Sequence, residues 1–213
     1  DKELTPIKTT KKIQDKATGE ISYKEVMLKY DEGVRPETTY HGLQGLTPVF
    51  KGGQQIDEGQ FITAGNASQL SDGASASVVM SESTAIKKGI DPLGILRGVS
   101  VSGCDPDEMG IGPVFAIPEL LKRHGLKIDD IGLWELNEAF AAQSLAVIKE
   151  MKLTDRMDRI NVKGGAIALG HPLGCSGARI TGALAHILQE KDARFGLATM
   201  CIGLGQGVAT VLE

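Results

Sequence analysis

From about residue 93 onward, short apolar runs alternate with apolar residues at helical spacing. ILRGVSVSG (95–103) and IGLWEL (131–136) read as strands. Between them PELLKRHG (118–125) closes a helix, with Gly125 as its stop. NEAFAAQSLAVIKEMK (137–152) predicts a helix opened by Asn137, with Phe140, Val147, Ile148 and Met151 on one face. NVKGG (161–165) ends a further short strand. SGARITGALAHILQE (176–190) follows as a helix whose Ile180, Leu184, Ile187 and Leu188 share a side. FGLATMCI (195–202) and GVATVLE (207–213) read as strands joined by a glycine turn. The order is βαβαβαββ, which predicts an α/β fold with a mostly parallel five-stranded sheet and helices packed on it. Right-handed crossovers then place the loops that precede helices along one sheet edge, where such folds bind ligands.

Upstream the pattern changes. Residues 1–60 are polar, with a short alternation in ISYKEVMLKY (21–30), and predict hairpin-like strands and long loops. ASVVMSE (76–82) reads as a buried strand, and SESTAIKKG (81–89) as a helix capped by Ser81 or Ser83.

Composition narrows the class. A 41% apolar and 23% charged chain is that of an ordinary soluble protein, and a net charge of −4 speaks against nucleic acid or an anionic membrane as partner. No apolar run reaches membrane-spanning length. The chain opens on Asp1, so no targeting segment is readable there, and the closing ATVLE matches no retention, peroxisomal or prenylation signal. Cys104, Cys175 and Cys201 show no CxxC spacing, which suggests free thiols in a reducing compartment such as the cytoplasm or an organelle matrix. Neither they nor the four histidines have metal-ligand spacing, so no metal site is expected. Glycine is the outlier at 27 residues, clustered in particular loops.

Four segments could carry chemistry: GNAS (65–68), LNEAFA (136–141), GHP (170–172) and CIGLGQG (201–207). Pro172 biases His171 to an extended backbone, and the positive end of the next helix faces it. Such a histidine could act as general base or as donor to an oxyanion; the bland alternative is a loop histidine bonded to backbone. Cys201 ends a strand at a glycine turn, where backbone N–H groups could lower a thiol pKa; otherwise it is a small buried hydrophobe. Asn137 is a helix cap or an amide that holds a water or oxyanion. Asn66 is a turn residue or a polar site residue. Glu138 is a base or a helix-dipole partner, and Lys163 a phosphate contact or a solvated charge.

TAGNASQLSDGA, LNEAFAAQ, GGAIALGHPLGCSGAR and MCIGLGQG together resemble, in order, motifs of the thiolase family, the acyl-CoA acetyltransferases and 3-ketoacyl-CoA thiolases. The resemblance covers at least residues 60–213, and DEGVRPETT (31–39) resembles the family's loop domain. It implies a layered thiolase-like fold. Residues 1–70 would be a CoA-covering loop-domain segment, 71–92 the last strand and helix of the N-terminal half, and 93–213 the C-terminal half. It also implies Claisen condensation of acetyl-CoA, or thiolysis of 3-ketoacyl-CoA, with coenzyme A as substrate and no permanently bound cofactor.

By the same resemblance, His171 activates an N-terminal nucleophilic cysteine and helps bind the thioester oxygen. Cys201 moves the proton of the acetyl Cα or of the CoA thiol, and Asn137 holds a water of the oxyanion hole. Ser68, Leu70, Met109, Ala139 and Phe140 match positions lining the pantetheine tunnel, and Arg35 matches a basic residue near the CoA adenine and phosphates. The partners implied are CoA thioesters, the N-terminal thiolase half and a second copy, in a homodimer or tetramer.

Two departures stand out. Leu204 replaces a glycine found in many members, and Cys104, in VSGCDPDE, is not the family's nucleophile. Nothing here matches the nucleophile-bearing half, so the chain alone is expected to be inactive. The rival readings are a related thiolase-fold condensing enzyme, against which Cys201 argues, and a non-catalytic CoA- or acyl-binding subunit.

Overall fold

The computed structural model describes residues 4–213. The chain divides into two compact units, one ending at Val34 and the other spanning Arg35–Glu213. The first holds an antiparallel hairpin, β1 (Ile7–Gln14) and β2 (Ile21–Leu28), paired from Ile7↔Leu28 to Gln14↔Ile21. Its turn is closed by the Asp15 carboxylate, which accepts from the N–H groups of Ala17 and Thr18, both at 2.8 Å. This is the hairpin the alternation predicted.

The second unit opens with a short helix α1 (Tyr40–Gln44) and then α2 (Glu82–Lys88). The α2 cap is Ser81, whose Oγ accepts from Thr84 N, and Gly89 ends the helix at φ 63°. The strand expected at 76–82 carries no ladder, and Val78 and Val79 stand 85% and 73% exposed. A β-prone run needs a neighbour to pair with, and none of the described strands lies alongside it.

Then follow β3 (Leu96–Gly103), α3 (Gly112–Arg123), β4 (Leu133–Leu136), α4 (Ala141–Glu150), α5 (Ala166–Leu169), α6 (Leu173–Lys191), β5 (Gly196–Ile202) and β6 (Gln206–Leu212). The four strands form one sheet in the order β3-β6-β5-β4. The layered α/β class is as expected, but the five-stranded, mostly parallel sheet is not. Only β4 and β5 run parallel; β6 folds back from β5 and runs antiparallel to both β5 and β3. A tight turn between β5 and β6 forces that reversal.

The missing fifth strand has a local cause. Ile160 makes a single bridge to Trp134, and the chain then turns at Asn161, φ 49°, so residues 161–165 add no strand to the sheet. The Asn161 side chain takes the strand's place: Leu136 N donates to its Oδ1 at 2.9 Å, and its Nδ2 donates to Leu136 O at 2.8 Å.

Alternation along the strands sorts the core into two layers. Trp134, Leu136, Leu197 and Val211 face α3 and α4, packing on Ile117, Leu120, Val147 and Ile148. Leu133, Ala198 and Leu212 face α6, packing on Ile180, Leu184, Ile187 and Leu188. The helical faces read from the sequence are buried at Val147, Ile148 and Met151 and at all four α6 positions, but Phe140 lies before α4 and is half-buried. Each fully buried Leu or Ile contributes about 1.5–3 kcal/mol.

Candidate active site

The loops at the ends of β4 and β5 and the approach to α6 meet in one place. Asn137 follows β4, and its N–H donates to Thr199 O of β5 at 2.9 Å. It does not cap α4. Residues 137–140 stay outside the helix, and Phe140 occupies the cap position with φ −141° and ψ 144°. Asn137 is thereby freed for another task. Only 1% of it is exposed, and its Nδ2 reaches His171 Nε2 at 3.2 Å. Its Oδ1 is buried and has no partner.

His171 is positioned by the glycine before it and the helix after it. Gly170 sits at φ 103°, ψ 163°, a conformation open almost only to glycine, and a Cβ there would strike the Ser71 side chain. Pro172 then caps α6, which begins at Leu173. The second ring nitrogen, Nδ1, lies 2.6 Å from Oγ of Ser176, a fully buried residue that also donates to Pro172 O at 3.1 Å. Burial pushes the His171 pKa below its ordinary value, with Arg179 nearby adding to the effect. The imidazole is therefore neutral at neutral pH, as a general base must be.

Cys201 is 6% exposed near the end of β5, on the strand whose Thr199 holds Asn137. Burial raises its thiol pKa, outweighing a backbone hydrogen bond that lowers it. Of the two readings, the buried one holds: desolvation of the thiolate outweighs the backbone N–H donors, and Cys201 holds its proton. Cys104 is partly exposed, and burial together with Asp105 and Glu108 raises its pKa too. Cys175 is buried beside Gly73.

An extended strap, residues 66–75, ties the two loops together. Ser68 N donates to Ala139 O at 2.9 Å, Ala141 N donates to Asn66 O at 2.8 Å, and Ala67 bridges Phe140. Further along, His171 N donates to Gln69 O at 3.4 Å, and Ser75 Oγ donates to Cys175 O at 2.7 Å. Ser68, Ala139 and Phe140 are thus brought to the site, Ala139 buried and Phe140 edge-on to Phe50 with centroids 6.1 Å apart. Leu70 lies on the strap with its side chain fully exposed. Met109 is half-buried in the turn Pro106–Ile111, next to Gly110, which packs on Gln143 of α4. Arg35 is exposed, and its carbonyl accepts from Thr38. No hydrogen bond joins Met109 or Arg35 to His171, Asn137 or Cys201.

Sequence reasoning missed Ser176, the strap and Asn161. Ser176 had a signal: it stands four residues after Pro172, one turn into the helix, facing back toward the ring. Glu138 is neither base nor dipole partner alone. Its Oε1 accepts from Asn161 Nδ2 at 3.0 Å and its Oε2 from Ile167 N at 3.2 Å, and the backbone of Gly165 lies so close that a Cβ would overlap the carboxylate. Lys163 pairs with Glu190 at 2.8 Å. No cluster of His, Cys, Asp or Glu able to hold a metal exists among the described residues.

A layered α/β fold carries a neutral histidine, a buried amide and a buried thiol at its strand ends, residue types suited to proton transfer and oxyanion stabilisation. The family model of the thiolase C-terminal domain matches residues 90–213, and that of the thiolase N-terminal domain matches residues 1–83. The chain belongs to the thiolase family. The expectation that nothing here matches the N-terminal half is corrected: part of that domain is present.

The chain is 55% identical over 198 residues to a 3-ketoacyl-CoA thiolase of Idiomarina loihiensis, covering 92% of this chain and 49% of that protein. It is 53% identical to that of Colwellia psychrerythraea over 197 residues, with the same shares. Among solved structures, the human mitochondrial 3-ketoacyl-CoA thiolase matches with TM-score 0.79 and 43% identity, covering 95% of this chain and 48% of that one. The acetyl-CoA acetyltransferase of Bacillus anthracis matches with TM-score 0.82 and 42% identity, covering 96% and 48%. The human enzyme in complex with CoA matches at TM-score 0.75 and 44% identity, covering 87% and 45%. The chain spans about half the length of the curated relatives it matches.

Proposed function

We propose that the chain is the proton-handling part of a thiolase, an acyl-CoA acetyltransferase acting by Claisen condensation of acetyl-CoA or thiolysis of 3-ketoacyl-CoA. The observation that carries this reading is the Asn137–His171 hydrogen bond, in a chain of this family, with Cys201 buried two residues along β5 from the Thr199 that holds Asn137. Coenzyme A is substrate, and no resident cofactor takes part. By the family resemblance, the acyl-accepting cysteine comes from protein outside these 213 residues, and Cys104 is not that residue.

In thiolysis, His171 Nε2 takes the proton of that cysteine, and the thiolate attacks the 3-keto carbon. The C2–C3 bond then breaks, leaving the acyl group on sulfur and an enolate of acetyl-CoA. Asn137, through the water its amide holds, and His171 stabilise the enolate oxygen, and Cys201 gives its proton to the Cα. The raised pKa of Cys201 suits a group that must arrive protonated. Cys201 next takes the proton of an incoming CoA thiol, whose thiolate attacks the acyl carbon. The bond to the acyl-bearing cysteine breaks, acyl-CoA leaves, and the freed cysteine thiolate takes back the proton held by His171.

Residues 1–70 act as a CoA-covering segment, with Arg35 near the adenine and phosphates. Residues 71–92 complete the N-terminal half, and 93–213 form the C-terminal half. Ser68, Leu70, Met109, Ala139 and Phe140 line the pantetheine path, where apolar walls with few polar groups suit a slender ligand. The exposed Val78 and Val79 are covered when the rest of the enzyme is present, in a homodimer or tetramer. The protein works in the cytoplasm or an organelle matrix; no described helix is long and apolar enough to cross a membrane.

Cys201→Ala in the assembled enzyme tests the reading. Loss of the proton donor lowers kcat about 10²–10⁴-fold. Unchanged turnover points instead to a CoA-binding subunit. Native mass spectrometry gives a second check, because a lone, folded, soluble 22.6 kDa species removes the assembly from the proposal. Acetoacetyl-CoA compared with a long-chain 3-ketoacyl-CoA decides the chain length.

A further inference from the structure

We infer that Ser176 is a positioning residue that fixes the tautomer of His171, with the proton on Nδ1 and a bare lone pair on Nε2. The inference rests on the thiolase reading for its catalytic consequence, but its structural content stands apart from it. A serine hydroxyl carries one proton and two lone pairs. Ser176 Oγ donates that proton to Pro172 O at 3.1 Å, the ordinary back-bond of a helical serine to the carbonyl four residues earlier. Toward His171 Nδ1, at 2.6 Å, it presents only a lone pair, so the nitrogen must supply the hydrogen. In a neutral imidazole the other nitrogen is then an acceptor. That matches its surroundings, because the group facing Nε2 is the Asn137 amide nitrogen, a donor, at 3.2 Å. The chain Asn137→His171→Ser176→Pro172 has one direction throughout, each group donating to the next.

Three features make Ser176 suited to hold this arrangement. It is fully buried, so its hydroxyl is shielded from solvent on the side that meets the ring nitrogen. It sits in the first turns of α6, a 19-residue helix whose apolar face is packed against the sheet, so the hydroxyl is fixed relative to the site. Its acceptor, Pro172 O, belongs to the residue next to His171, which makes the whole device one helical turn long.

The consequence is chemical. Free imidazole in water favours the proton on Nε2, which would turn the reactive nitrogen into a donor and leave no base for a thiol. Ser176 reverses that preference. Nε2 is ready to accept a proton, and once it has done so it becomes a donor for the oxyanion. Removing an orienting partner of a catalytic histidine costs orders of magnitude in other enzymes that depend on one tautomer.

The test uses the assembled enzyme with 15N-labelled histidine, read by two-bond 1H–15N correlation above the His171 pKa, with His171→Asn to assign the signals. Wild type should show His171 protonated on Nδ1. Ser176→Ala should move it to Nε2 protonation or a mixture, and lower kcat on the order of 10²-fold with KM little changed. Ala favours helix, so the variant should fold, and the other three histidine signals check this in the same spectrum. Nε2 protonation in wild type, or an unmoved tautomer in Ser176→Ala, overturns the assignment whatever the activity. A tautomer that moves as expected in a protein with no thiolase turnover sustains the Ser176 assignment and sinks the thiolase reading.

Discussion

At the residue scale, two buried groups of opposite chemistry are tuned by the same force. Desolvation disfavours charge, so it lowers the pKa of His171 and raises that of Cys201, leaving both neutral. One neutral group can take a proton and the other can give one. Neither tuning was legible in the sequence, because it depends on burial; GHP and CIG named the residues and not their protonation. Gly170 was legible as a sharp turn, but its reason is the φ of 103° and the Ser71 side chain against it. Gly170→Ala should therefore cost about 1–3 kcal/mol from backbone strain. It should also displace His171, the next residue. Urea denaturation reads the first effect and loss of the His171 tautomer preference the second; a variant as stable as wild type contradicts the strain argument. Leu204 also sits in the left-handed region, at φ 67°, where many members of the family have a glycine, and its side chain is 86% exposed.

At the scale of elements, the site depends on loops held by side chains more than by ladders. Long, periodic elements were readable: the buried faces of α4 and α6 follow Val147, Ile148, Ile180 and Leu184 as the spacing predicts. The short ones were not. A four-residue helix such as α5 has too few positions to show a period, and Asn161 imitates a strand with its side chain, which no hydrophobic pattern records. Glu138 bridges these pieces, accepting from Asn161 on one oxygen and from Ile167 N on the other. Glu138→Gln keeps the shape but turns one acceptor into a donor that faces a donor. The expected loss is about 1–2 kcal/mol of stability, with faster amide exchange at Ile167. Exchange at Ile167 unchanged from wild type means the carboxylate does not hold α5.

At the scale of the whole molecule, the order of strands escaped the sequence because adjacency is set by how β6 returns, not by the alternation that suggests βαβ units. The return places β6 between β5 and β3 and brings the chain's last residue to the start of the sheet: Glu213 N donates to Ile95 O at 3.0 Å. There the Glu213 carboxylate is held by Arg194 at 2.8 Å and by Arg97, and hydrogen bonds from these arginines, Arg194 first, bring its pKa below 4.5. The sign of the pH effect follows from proton counting. A carboxylate with a lowered folded pKa contributes stability that is fully present above 4.5 and is lost as pH falls through the folded value. His171 also has a lowered pKa, so the unfolded chain binds its proton first; its contribution is complete above 6.5 and fades as pH drops below that. Stability should thus decline in two stages, a shallow one below 6.5 and a second below 4.5. Urea midpoints across that range separate them. Asp15, Glu119 and Asp129 also have lowered pKa values and share the lower stage. Glu213→Gln should therefore reduce that stage and leave the upper one, whereas His171→Asn should remove the upper one and leave the lower. If the curve of Glu213→Gln runs parallel to wild type below 4.5, the clamp that fastens β3 to the end of the chain contributes nothing to acid stability.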